Sequence, residues 1–144
     1  MKKEVPKRSS LFLLELIISI LFFSLASAVC IQLFAKAHLQ SNQTAELNMA
    51  VTKASSIAEI IRNSPDPVDA LWKQFPQLKQ KQHSLILYCD TAWNTCSMPK
   101  AFYVIEIHIK SRHQMFIGMI EIHQRDSTAT LYHLTVKHHL PYTI

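Results

Sequence analysis

Glycine is almost absent from this chain. Of its 144 residues only Gly118 is glycine, and there is no proline between Pro6 and Pro65. Nothing in that interval obliges a helix to stop, so one continuous helix from about Leu11 to Asn63 is the simplest expectation. Charge is equally scarce in its first part: from Leu11 to Phe34 the only acidic or basic residue is Glu15, and the next is Lys36. A basic surplus of the kind that binds nucleic acid is also missing. Lys2, Lys3, Lys7 and Arg8 against Glu4 account for +3 of the net +5, and what remains is too small to argue for a nucleic-acid partner. No nucleophile–base motif, phosphate-binding loop or carboxylate pair stands out, so the chain reads as a non-enzyme without a cofactor.

What is present is a 24-residue apolar run placed directly after a basic stretch, MKKEVPKRSS. As a helix it would rise about 36 Å, enough to cross a bilayer with some tilt. Basic residues on its N-terminal side place that end in the cytoplasm and the bulk of the chain outside, as a single-pass membrane protein. Roughly 110 residues then remain, enough for one small domain. Glu15 is the anomaly. An acidic side chain at membrane depth costs about 2.5 to 3.5 kcal/mol on insertion scales and usually marks a partner or a function.

Past Phe34 the helix changes character. Leu47, Ala50, Val51, Ala54, Ile57, Ala58 and Ile61 recur at three- and four-residue steps, while Glu46, Asn48, Lys53, Ser56, Glu59 and Arg62 fall largely between them, giving one apolar stripe. The stretch NSPDP, residues 63 to 67, ends the helix and opens a connector, 64–83, with a short helical candidate around Val68 to Phe75. From Ser84 the apolar period is that of strands, with four candidates: Ser84 to Cys89, Ala101 to Lys110, Met115 to His123 and Ala129 to His138. The expected fold is α+β. A long N-terminal helix, membrane half 11–34 and amphipathic half 35–63, packs its stripe on a four-stranded antiparallel meander within 84–144.

The order KRSS then LFLLELIISILFF resembles the N-terminal signature of type IV prepilins and their pseudopilin relatives. These have a short basic leader, a small residue at the cleavage point, an apolar first mature residue and a glutamate four residues later. The resemblance implies a leader of residues 1–10, cleavage by a prepilin peptidase between Ser10 and Leu11, N-methylation of Leu11, and assembly through Glu15. It also implies a pilin-like fold. The implied partners are other pilin or pseudopilin subunits, the prepilin peptidase, an inner-membrane assembly platform and the membrane, with a place in a cell-surface filament. Ser10 stands where the family usually has glycine, and the membrane segment has Ser24, Ala26, Ser27 and Ala28 but no helix breaker. A minor subunit fits these departures better than an abundant shaft subunit.

Other readings compete for the same residues. Ala26, Ser27 and Ala28 form an A-x-A motif after an apolar core, as in a signal peptide cut after Ala28, but Glu15 and the helical continuation are then unexplained. Val29 before Cys30 is branched where a lipoprotein site expects a small residue. From another class, the chain could be an anchored or secreted extracytoplasmic binding domain that never polymerises. Cys89 and Cys96 flank a short polar loop, DTAWNT. Outside the cytoplasm a disulfide across it is permitted, and two reduced cysteines are equally compatible, because sequence does not fix which way the sulfurs face. His108, His123 and His133 are expected on one polar sheet face with Glu106, Glu121 and Lys137, as solvated residues and not a metal site. Asp90 and Trp93 read as turn chemistry and a covering aromatic.

Overall fold

A computed structural model describes residues 7–112 and 115–139. Residues 1–6, within the expected leader, residues 113–114 and residues 140–144 lie outside the described residues. The chain divides into two compact units, Met1–Thr44 and Ala45–Ile144. Helix α1, Lys7–Asn63, runs 57 residues, beginning four residues before the expected Leu11 because nothing between Pro6 and the apolar run opposes helix. It ends at Asn63, where Pro65 disfavours helical backbone at Ser64.

The first unit is helix whose side chains from Ser10 onward are exposed, with Leu11 67%, Phe22 72% and Phe34 79% accessible. This is the one helix among the described residues long and apolar enough to cross a membrane.

In the second unit α1 covers one face of an antiparallel sheet. Ala50, Ala54, Ala58, Ile57 and Ile61 are buried, as the stripe requires, whereas Leu47 at its start stays 41% exposed. Alanines at four-residue steps let the helix axis approach the sheet, and the isoleucines fill the space on either side. Helix α2, Pro67–Gln74, buries Leu71 and is capped by Asp66, whose Oδ1 accepts from the Val68 and Asp69 amides at 3.1 and 3.2 Å. Pro67 at its first turn gives up no needed hydrogen bond.

The sheet has five strands, not the four expected, in the order β1 (Lys79–Lys81), β2 (Ser84–Cys89), β3 (Tyr103–Arg112), β4 (Met115–Gln124) and β5 (Thr130–His139). The additional strand β1 lies inside the connector assigned to 64–83. Its sequence, KQK, is wholly exposed, so no apolar alternation announces it. Backbone pairing across a turn in which Gln82 adopts a positive φ of 54° creates it. On the inner face Leu85, Leu87, Ile105, Ile107, Ile120 and Ile122 meet the helix stripe. Each fully buried isoleucine or leucine contributes about 1.5 to 3 kcal/mol relative to exposure. Gly118, opposite Ile109 in the β3–β4 register, lies beneath the Ile61 side chain of α1. A Cβ built there would sit 2.9 Å from Ile61 Cδ1.

Candidate functional site

Ser10, Leu11 and Glu15 all lie on α1 in the first unit, and all three are exposed. Leu11 and Glu15 are four residues apart and so share a face, about 6 Å along the axis. The serines of this segment satisfy themselves: Ser19, Ser24 and Ser27 donate their hydroxyls to the carbonyls of Glu15, Ile20 and Phe23 at 2.8 to 2.9 Å. The Glu15 carboxylate has no comparable arrangement. Among the described residues no side chain donates to it. Around it the surface is apolar, including an open groove lined by Ile18, Ser19, Phe22, Phe23 and Ala26.

Sequence reasoning placed Glu46 only on the polar side of the helix, but the structure gives it a specific role. Its Oε1 accepts from Gln124 Nε2 at 2.8 Å, and the same carboxylate lies near the Tyr103 hydroxyl. Burial, reinforced by the nearby negative charge of Glu46, pushes the Tyr103 phenol up to about 12. The carboxylate thus ties α1 to the end of β4 within the second unit. Tyr103 in turn stacks on Trp93, with ring centroids 4.0 Å apart. Only the tertiary fold brings these four residues together, so no local motif could have signalled them.

Trp93 is buried and has a positive φ of 63°, which is uncommon for a bulky residue. Asp90 organises the loop that holds it there: its Oδ1 accepts from the Ala92 and Asn94 amides, each at 2.9 Å. The same loop fixes the cysteines. Cys89 pairs opposite Thr95, and the Cys96 amide donates to the Tyr88 carbonyl. In that register Cys89 faces the core and Cys96 the opposite side with Tyr88. Both are free thiols. Burial pushes the Cys89 thiol up to about 11, with Cys96 and Asp90 adding to the rise and Lys53 opposing it.

Glu106, Glu121 and His133 align across β3, β4 and β5, and His108 and His123 share their face. His108 Nε2 is 3.8 Å from Glu106 Oε2. Among the described residues no group of three His, Cys, Asp or Glu side chains is arranged to hold a metal ion.

No family model, curated protein or solved structure matches the chain.

Proposed function

We propose that the protein is a minor pilin-like or pseudopilin subunit of a type IV pilus or type II secretion-like filament, cut between Ser10 and Leu11 and assembled through α1. The observation that carries this reading is Glu15, a lone carboxylate on an exposed apolar helix, four residues after Leu11. Cleavage frees an α-amino group on Leu11. In hydrocarbon that ammonium and the Glu15 carboxylate are each costly alone, and a carboxylate there costs about 2.5 to 3.5 kcal/mol on insertion scales. When the amine of one subunit meets the carboxylate of the next, both costs are offset and the axial step between helices is set. Further support comes from the architecture, a helix continuing without a break from the apolar run onto an antiparallel sheet. In this reading the first unit lies in the membrane until a peptidase and an assembly platform extract it, with the N-terminus cytoplasmic and the sheet outside. The protein performs no catalysis.

Substitution of Glu15 tests the reading. Glu15→Leu is expected to insert into the membrane as well as the parent or better, while its share in sheared filaments falls relative to the share left in membranes at matched expression. Glu15→Gln keeps the shape without the charge and should lie between the two. An unchanged ratio for Glu15→Leu would give the chain to the class of anchored extracytoplasmic domains that do not polymerise.

A further inference from the structure

We propose that the free edge of β5, with the cleft beside it, docks an extended segment of a different protein that adds a sixth strand and carries acidic side chains opposite Lys137. Strand β5 is ten residues long, contains no proline and pairs with β4 along its length. Among the described residues no strand occupies its other side, so it presents a row of unpaired amides and carbonyls. The opposite edge of the sheet is only the three-residue β1. A template for strand addition therefore exists on one side alone.

The second observation is a cleft of about 410 Å³ between that edge and α1, lined by Ser55, Ala58, Glu59 and Arg62 on the helix and by residues 134–137 of the strand. A strand added about 4.8 Å beyond β5 would lie over this cleft, turning alternate side chains into it and the others toward the outer face of the sheet. The inward positions meet Ala58, Leu134 and Val136, which suit apolar side chains. The outward positions meet Lys137.

Charge then selects the occupant. Strand β5 carries His133, Lys137, His138 and His139 and no acid. Lys137 is exposed, and among the described residues it belongs to no ion pair. Glu59 is the single acid of the lining. Pairing β5 with β5 of a second copy would gather both sets of basic residues. Pairing it with the β1 edge of a second copy would bring Lys79 and Lys81 against Lys137. Like charges across strands are destabilising, and opposite charges stabilise. The edge thus discourages copies of itself and fits a strand alternating apolar and acidic residues, in the manner of β-augmentation. This inference stands apart from the filament reading, since an anchored domain could use the same edge.

The experiment uses the full chain in lipid nanodiscs and fluorescence anisotropy, with empty nanodiscs as the blank. The probes are a labelled peptide of alternating valine and glutamate, its valine–lysine counterpart, and the acidic peptide N-methylated on the amides that face β5. The acidic peptide should bind saturably and the other two should not. Replacement Lys137→Glu, at an exposed position, should weaken acidic-peptide binding about tenfold or more and create binding of the lysine peptide. Circular dichroism should show the variant's fold unchanged. No saturable binding of the acidic peptide would overturn the proposal, as would binding that survives both charge reversal and N-methylation. A concentration-dependent dimer that the peptide does not dissociate would assign the edge to a second copy and overturn it as well.

Discussion

Replacing Gly118 with alanine probes how tightly α1 is seated on the sheet. The new Cβ would lie 2.9 Å from Ile61 Cδ1, 3.4 Å from its Cγ2 and 3.9 Å from its Cγ1. Carbon atoms pack best at about 3.5 to 4.0 Å, so the terminal methyl must retreat by roughly half an ångström. Ile61 is fully buried and has no solvent to move into, and overpacking of this kind costs about 1 to 3 kcal/mol. Gly118 does not have a positive φ, so alanine also restricts the unfolded chain, which returns about 0.4 to 1 kcal/mol. The net expectation is a loss of about 1 kcal/mol. Ile61→Val removes the crowded Cδ1 and alone should cost about 0.5 to 1.5 kcal/mol. Together the two changes should cost less than their sum, by about 0.5 to 1 kcal/mol, because each relieves the other. Urea denaturation of the full chain in detergent can be followed by tryptophan fluorescence, since Trp72 and Trp93 both lie in the second unit. Strict additivity of the two substitutions, or a stabilising Gly118→Ala, would refute the close approach of helix and strand.

Three further outcomes follow from the same structure. Alkylation of the native protein should modify Cys96 before Cys89, and non-reduced peptides should carry no bridge between them, because the loop register turns the sulfurs to opposite faces; a linked peptide in the mass spectrum would contradict that register. Cys89 and Tyr103 hold their protons up to about 11 and about 12, against ordinary values of 9.0 and 10.0. The unfolded chain therefore ionises first, and their contribution is intact below pH 9 and lost between about pH 9 and 12. Cys89→Ala should flatten the first part of that decline in denaturation midpoints measured against pH. Glu46→Ala leaves the part-buried Gln124 amide without its acceptor and should cost about 1 kcal/mol, with Glu46→Gln milder, read by the same denaturation assay.

The elements with strong local signals were legible in advance. An interval without proline or glycine reads as one helix, the stripe from Ala50 to Ile61 reads as its buried face, and β2 to β5 fall within three residues of their expected bounds. Strand β1 was hidden because Lys79, Gln80 and Lys81 bury nothing, and its only support is backbone pairing. The clustering of Glu46, Tyr103 and Gln124 depends on how the helix lies across the sheet, which no periodicity encodes. The cysteines illustrate the same limit. Their flanking of DTAWNT was visible, but which way each sulfur faces is decided by the pairing of Cys89 with Thr95. Glu15 is the reverse case: its significance comes entirely from the apolar sequence around it, and within the first unit its side chain is exposed.

The most direct test of the functional account is the N-terminal residue of the mature protein, determined by intact mass and N-terminal sequencing after co-expression with an active cognate prepilin peptidase. The account requires Leu11, bearing a methylated amine, and requires that a bulky residue in place of Ser10 block the cut. An intact chain beginning at Met1, or a mature chain beginning at Val29, would contradict it.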